Sequence, residues 1–306
     1  MIDNNFNLNK KNILMFILLI YMLISHFTLS AQTEMVKIYE KKSAKDDKIT
    51  AQKLKIFRLD DFTQIHDSLA IRIWAGRHIV EIRKNKDSIS GKLINFAYRK
   101  TTETLPVYEV LKIHPAKTKQ LLDSLLTYHI TSLPGDDMVF IHGQIYEFEI
   151  SHNRQYRYYS YSSPSDRTWT SNRELAAKII QQTYKQLKID SLDRIFLNHL
   201  PPGEYEVGWN GIRVDYFCKK SMQTSSLYRY IKDVLKQEFD FDETKNHTEF
   251  PLIILNGKSI KMCDLNRYKY RQLKKIKVYK KNAESHALYG INARYGVVDI
   301  SLKKHF

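Results

Sequence analysis

Residues 251–304 constrain the fold more than any other part of this sequence. Their first apolar run, at 251–255, is followed by Asn256-Gly257, a dipeptide typical of tight hairpin turns. Residues 276–280 alternate apolar and basic side chains, and residues 297–302 form a last apolar run. Gly290 and Gly296 punctuate the step into that run. The pattern predicts a compact unit of strand, turn, strand, short helix, loop and strand.

This stretch resembles the plug domain of TonB-dependent outer-membrane receptors, in the form common among Bacteroidetes. The resemblance rests on three segments, which read PLIILNG, LKKIKVYK and ALYGINARYGVVDI in this chain. The positions that we expect to be structurally important within these motifs are Pro251, Asn256, Gly257, Tyr289, Gly290 and Gly296. The family usually has Asp at the position of Asn256, and an acidic residue in the region where Lys274 and Lys275 stand. The resemblance implies a plug-like fold and a cell-envelope location.

A receptor of that family carries a large barrel after its plug domain. The present sequence ends at Phe306, a few residues past the last predicted strand. We therefore expect a plug-like unit that stands alone, without a barrel formed by its own chain.

Residues 1–31 have the features of a secretory signal peptide. Lys10 and Lys11 precede a nearly unbroken apolar run at 13–24, and residues 28–31 are small enough for a cleavage site before Gln32. The alternative is an uncleaved anchor, for which the apolar run is short. We expect an exported protein of the periplasm or the periplasmic face of the outer membrane, with no transmembrane span after signal cleavage.

The remaining chain divides into three segments. Residues 32–66 are predicted to be a polar lead-in or linker, because residues 41–48 carry many charges and no core residue. Residues 67–220 are predicted to form an α+β domain of unrecognised family, and residues 221–306 a helix plus the plug-like domain. The fold class is α+β, with an N-terminal antiparallel sheet with helices and a small C-terminal plug-like α/β unit.

Within the middle segment, a three-strand meander with one wet face is predicted at 68–98. Apolar residues at helical spacing predict helices at 115–130 and 171–187, the second capped by Ser171. A strand is predicted at 138–141. Hairpins are predicted at 144–161 and 205–217, the latter turning at Asn210-Gly211. A further helix, capped by Ser225 or Ser226, precedes the C-terminal stretch.

The formal net charge of +16 is concentrated near the C-terminus. Residues 251–306 hold thirteen Lys and Arg residues and three Asp and Glu residues, a net charge of +10. In an exported protein this charge favours an envelope protein partner or an acidic surface, such as lipopolysaccharide phosphates, over nucleic acid. The plainer interpretation is a solvated basic face. The acidic residues at 240–243 are expected to dock against this basic unit.

Two cysteines, Cys218 and Cys263, are compatible with either of two states. A disulfide between them would attach the plug-like unit to the preceding domain, which export permits. Alternatively, the two residues are separate buried thiols. They lack the neighbouring His or carboxylate cluster of a metal site, so no metal or cofactor is expected.

Catalytic motifs are not found, and we expect a protein that is not an enzyme. The sequence offers one candidate acid–base pair, which is His142 with Asp136 or Asp137. His129 and His152 lie near this pair in the sequence. Tyrosines alternate with arginine at 156–161, a pattern that fits either a glycan-stacking surface or cross-strand core contacts.

Three functions follow from these observations. The favoured one is a non-catalytic exported envelope protein with a stand-alone plug-like interaction domain. The alternative is an accessory component of TonB-dependent uptake that associates with an outer-membrane barrel. The second alternative is a glycan-binding or hydrolytic periplasmic protein.

Overall fold

The protein has an α+β fold, as the sequence predicts. The computed structural model describes residues 35–39, 44–65, 67–100, 105–136, 143–164, 170–207, 210–219 and 221–303. The predicted signal peptide at 1–31, the predicted strand at 138–141, and both Asp137 and His142 lie outside these residues. Within them, two sheets organise the chain, one before and one after residue 220.

The larger sheet has nine strands. In chain order they are β1 (Val36–Tyr39), β2 (Leu69–Ala75), β3 (His78–Lys84), β4 (Ile89–Arg99), β5 (Val107–Ile113), β6 (Ile145–His152), β7 (Gln155–Ser162), β8 (Gly203–Val207) and β9 (Asn210–Val214). Their spatial order is β1-β7-β6-β2-β3-β4-β8-β9, with β5 also pairing with β4. The parallel pairing of β1 with β7 is the exception to otherwise antiparallel neighbours. The predicted meander and the hairpin at 144–161 are confirmed.

Four helices accompany this sheet, namely α1 (Ala44–Phe57), α2 (Pro115–Thr127), α3 (Ser171–Leu187) and α4 (Ile189–His199). The apolar sides of α2 and α3 pack on one face of the sheet, where Leu121 and Ile179 meet Ile71 and Ile73 of β2. The two predicted helices are confirmed. The cap of α3 is Thr170 rather than Ser171, because the Thr170 side chain accepts a hydrogen bond from the Arg173 amide.

The second face of the sheet is buried, whereas the sequence predicted that it would be wet. Every residue of β2 is buried, because the lead-in segment covers the face opposite α2 and α3. Phe57 at the end of α1 packs against Trp74 and Phe96, and Phe62 packs beside Arg72. The prediction of a linker at 32–66 is therefore wrong for β1 and α1, which are regular elements of the fold, and for the residues that follow α1. Phe57, Leu59 and Phe62 are buried in the core, whereas β1 is a largely exposed edge strand.

The hairpin of β8 and β9 differs in register from the prediction. Val207 pairs with Asn210, so Asn210 and Gly211 belong to β9 instead of forming the turn. The hairpin extends the larger sheet through β8, which pairs with the end of β4. Residues of the hairpin pack in an apolar cluster that includes Phe196 of α4. The sequence did not predict helix α4.

The smaller sheet contains β10 (Leu252–Leu255), β11 (Lys258–Ile260), β12 (Leu273–Tyr279) and β13 (Val297–Leu302), in the order β11-β10-β13-β12. Strand β10 runs parallel to β13, while the other two pairs are antiparallel. Helix α5 (Ser226–Phe239) packs on one face, and α6 (Ala283–Tyr289) with the following turn at 290–293 covers the other. The predicted strands corresponding to β10, β12 and β13 and the short helix before β13 are confirmed, whereas β11 and the two 3-10 turns after it, Met262–Arg267 and Tyr270–Gln272, were not predicted.

None of the helices in the described part of the chain is both long enough and apolar enough to cross a membrane.

Candidate functional site: the basic C-terminal unit

The turn between β10 and β11 uses both of its motif residues for geometry. Asn256 and Gly257 have φ angles of 50° and 79°, the left-handed values that a two-residue hairpin turn of this type requires. The Asn256 side chain accepts a hydrogen bond of 2.8 Å from the Leu302 amide, and its own amide donates to the Ile300 carbonyl at 2.8 Å. Asn256 therefore ties the turn to β13, and an Asp side chain could accept the same bond.

The other motif residues also shape the unit. Gly296 has a φ of 99°, and a Cβ built there would lie 2.2 Å from Phe239 Cε1 at the end of α5. Tyr289 donates a hydrogen bond of 3.1 Å to Asp299, and Gly290 terminates α6 with a φ of 67°. Pro251 is buried, at the start of β10. These contacts give the six motif positions structural roles, without a ligand.

A buried ion pair joins this unit to the preceding sheet. Arg213 of β9 lies 3.0 Å from Asp215 and also donates hydrogen bonds to the carbonyls of Pro251 and Ile260. Asp215 in turn accepts hydrogen bonds from the amides of Met262 and Tyr216 at 3.0 and 2.9 Å. Burial lowers the pKa of Arg213 and raises the pKa of Asp215. Since each charge is satisfied across the junction, the pair fixes how the two parts of the chain meet.

A disulfide in the structure joins Cys218 to Cys263 close to that ion pair, with the two Cα atoms 5.4 Å apart. Cys218 follows β9, and Cys263 lies in the 3-10 turn Met262–Arg267 that follows β11. The bond therefore attaches the C-terminal unit to the segment that enters α5, as the first of the two sequence interpretations anticipated.

Strand β12 is the exposed basic edge of the unit. It pairs with β13 along one side and with no described strand along the other. Lys274, Lys275 and Lys277 are exposed, whereas Ile276 and Val278 pack against the cluster beneath α5. The seven-residue strand is long for an edge and carries lysines, the residues with which proteins keep such edges from pairing with copies of themselves.

The acidic segment after α5 does not use its charges on this basic unit. Asp240 pairs with Lys245 at 2.7 Å, and Glu243 pairs with Lys232 of α5. The prediction that residues 240–243 dock against the unit through their charges is therefore wrong. Phe241 instead packs against Phe250 in the cluster below the smaller sheet.

The tyrosine-rich strand β7 is part of the core. Tyr156, Tyr158, Tyr159 and Tyr161 are all buried. Tyr159 stacks on Phe148 with ring centroids 4.9 Å apart and donates a hydrogen bond of 2.6 Å to the Ile130 carbonyl. These rings offer no surface for stacking a sugar, so the second of the two sequence interpretations, cross-strand core contacts, is the correct one.

His129, His152 and Asp136, which the structure describes, do not converge. Asp136 pairs with Arg173 of α3, His152 contacts the Ser68 carbonyl at 3.0 Å, and the amide of His129 donates to the Leu126 carbonyl in a turn. Both proposed pairings, of His142 with Asp136 or with Asp137, fall outside the described residues because His142 does. Among the described residues, no group of three His, Cys, Asp or Glu side chains could hold a metal ion.

Two polar clusters in the larger sheet were missed by the sequence analysis. In the first, fully buried Arg72 bridges Glu81 and Glu149, each at 2.8 Å. In the second, Asp193 of α4 meets Arg77 and lies 3.8 Å from His78. Burial lowers the pKa of His78 to about 4 and raises the pKa of Asp193 to about 6. Only the first cluster could have been found from the sequence, because Arg72, Glu81 and Glu149 are charged residues within otherwise apolar strands.

No protein-family model matches this chain, and no curated protein is significantly similar to it.

Proposed function

We propose that the protein is an exported, non-catalytic binding protein of the cell envelope. Its C-terminal unit is proposed to bind an extended acidic segment of another envelope protein along β12. The observation that carries this proposal is the basic edge of β12, with which no described strand pairs, in a unit with a net charge of +10 over residues 251–306. The leader at 1–31 supports export to the periplasm or the periplasmic face of the outer membrane.

The physical basis is strand addition with charge selection. An unpaired edge presents backbone N–H and C=O groups, which supply affinity when a partner strand pairs with them. The exposed lysines repel a second copy of the same edge, whereas Asp or Glu residues in a partner strand would relieve that repulsion. Because the disulfide and the Arg213–Asp215 pair anchor the unit, the edge is held on a rigid support.

A charge-reversal capture experiment tests the proposal. The protein, expressed with its leader, is used to capture partners from its native envelope, alongside a variant with Lys274, Lys275 and Lys277 changed to Glu. The control variant carries the same three-charge reversal at Lys117, Lys119 and Lys178, which lie on α2 and α3. We expect the β12 variant to lose a partner that the wild type and the control variant retain. Equal capture by all three proteins would contradict binding at β12.

A second candidate function is an accessory role in TonB-dependent uptake. It is favoured by the motif residues, because Asn256, Gly257 and Gly296 each occupy a backbone geometry that the unit requires. This function makes a distinct prediction for the same capture experiment. The retained partner would then be an outer-membrane barrel protein, whereas any other partner would argue for the first function alone.

A further inference from the structure

A row of charged side chains crosses five strands of the larger sheet at one level. Strand pairing places Arg72 of β2 between Glu149 of β6 and Glu81 of β3. It then places Lys92 of β4 opposite Glu81, and Lys112 of β5 opposite Lys92. The sign of the charge alternates along the row until this last step, where two lysines face each other. Like charges directly opposite one another destabilise an antiparallel pair.

The inner members of the row neutralise one another. Arg72 binds one oxygen of Glu81 at 2.8 Å, and Lys92 lies 3.0 Å from the other. Both oxygens of Glu81 are therefore occupied. Lys112 is exposed and forms an ion pair with no carboxylate among the described residues. The row thus ends in an uncompensated positive charge at the rim of the sheet.

An open groove of about 690 Å³ lies at that rim. The polar side chains that line it come from β3, β4, β5 and the start of α2, and they are Glu81, Arg83, Ser90, Lys92, Lys112 and His114. Its volume lies within the range of small-molecule sites. Ile89 and Pro115 give the groove an apolar border.

Glu81 is the one carboxylate among the residues that line the groove, and both of its oxygens are paired with Arg72 and Lys92, so the remaining polar groups there are mainly hydrogen-bond donors. Nδ1 of His114 accepts from the Ala116 amide at 3.3 Å, so the neutral imidazole carries its hydrogen on Nε2. The two ammonium groups and the Ser90 hydroxyl add further donors. Helix α2 also begins here, and its N-terminal end carries partial positive charge. A ligand with several acceptor oxygens and negative charge would satisfy these groups.

We propose that this groove binds a phosphate monoester, with the phosphate between Lys92 and Lys112 and its organic body against Ile89 and Pro115. A phosphate monoester carries three terminal oxygens in a tetrahedral arrangement and a charge of about −1.5 to −2, whereas a carboxylate has two oxygens in one plane and a single charge, so the phosphate matches donors that converge from several strands better. The groove belongs to the larger sheet, and its ligand is independent of partner binding at β12.

Titration calorimetry of the full chain with phenyl phosphate tests the proposal, with benzoate as the carboxylate comparator. We expect phenyl phosphate to bind more tightly than benzoate, and Lys112→Met to weaken its binding about tenfold, which corresponds to the loss of one charged hydrogen bond. The matched control is Lys178→Met on α3, where Lys178 is exposed and pairs with Glu174. This control is expected to bind phenyl phosphate as the wild type does.

Unchanged binding in Lys112→Met, or equal binding of benzoate, would overturn the proposal. Ser90→Ala provides an independent variant that is also expected to weaken phenyl phosphate binding. Without ligand, Lys112→Met should unfold at a urea concentration equal to or above that of the wild type, because it removes the repulsion between Lys92 and Lys112. A lower unfolding midpoint would show that this repulsion does not destabilise the sheet. Phosphatidylcholine vesicles with and without phosphatidic acid distinguish a lipid headgroup from a soluble ester as the source of the phosphate.

Discussion

Gly296→Ala tests whether α5 and the smaller sheet are packed as closely as the structure shows. Gly296 has a φ of 99°, and an added Cβ would lie 2.2 Å from Phe239 Cε1 and 3.0 Å from the Tyr279 carbonyl oxygen. Gly257→Ala is the matched control, because Gly257 has a φ of 79° and no atom within 4 Å of an added Cβ. Both substitutions strain the backbone, but only the first forces a contact.

The expected magnitudes follow from these two terms. Backbone strain costs about 1–2 kcal/mol for a side chain at a positive φ, and should apply to both variants. Overpacking adds about 1–3 kcal/mol at Gly296 alone. The free energy of unfolding should therefore fall by about 2–5 kcal/mol in Gly296→Ala and by about 1–2 kcal/mol in Gly257→Ala. For a domain of ordinary stability, the first loss is a large fraction of the total.

Urea unfolding followed by circular dichroism measures both losses, with the disulfide left intact. Phe239→Leu removes the ring atoms that collide with the new Cβ, so the double variant should recover part of the loss at Gly296. We expect a coupling free energy of about 1 kcal/mol or more between positions 239 and 296. Equal losses in the two glycine variants, together with zero coupling, would refute the close packing of α5 on β13.

Four further predictions concern the junction and the buried cluster. Arg213→Met should cost about 3–5 kcal/mol in urea unfolding, because it leaves its carboxylate partner buried and uncompensated; a loss below 1 kcal/mol would contradict this. Reducing the Cys218–Cys263 disulfide, which closes a separation of 45 residues, should cost up to about 4 kcal/mol, and thiol labelling before and after reduction checks that the bond exists. Burial lowers the pKa of His78 to about 4, so the folded state favours the neutral imidazole. The resulting contribution to stability is complete above the ordinary histidine pKa and is lost as pH falls through about 4. His78→Gln should therefore make the loss of stability at acid pH less steep. Burial raises the pKa of Asp193 to about 6, so its contribution to stability is present at low pH and is lost as pH rises through about 6. Asp193→Asn removes this contribution and should therefore make the loss of stability at acid pH steeper.

Much of the fold was predictable because the relevant signals are local. Alternation predicted β2 and β3, helical spacing predicted α2 and α3, and the dipeptide at 256–257 predicted the turn that follows β10. These patterns reflect which side of an element is buried, and neighbouring residues carry that information. The same logic placed β12, β13 and the short helix between them in the C-terminal unit.

The missed features depend on contacts between distant parts of the chain. Helix α1 begins with charged residues, and its core contacts come late, from Leu54 onward, so its start resembles a linker. Arg72 and Glu149 are 77 positions apart, and only the pairing of β2 with β6 brings them together. The groove at Lys112 likewise depends on the register between β4 and β5, which periodicity does not determine.

Site-specific photocrosslinking tests the proposed binding edge most directly. A photoreactive residue is placed at Lys275 on β12 and, as the control, at Lys178 on α3, and the protein is irradiated in its native envelope. The account predicts a crosslinked partner from position 275 alone, with the attachment point in an Asp- and Glu-rich segment of that partner. No adduct at 275, or the same adduct from both positions, would contradict the claim that β12 is the binding edge.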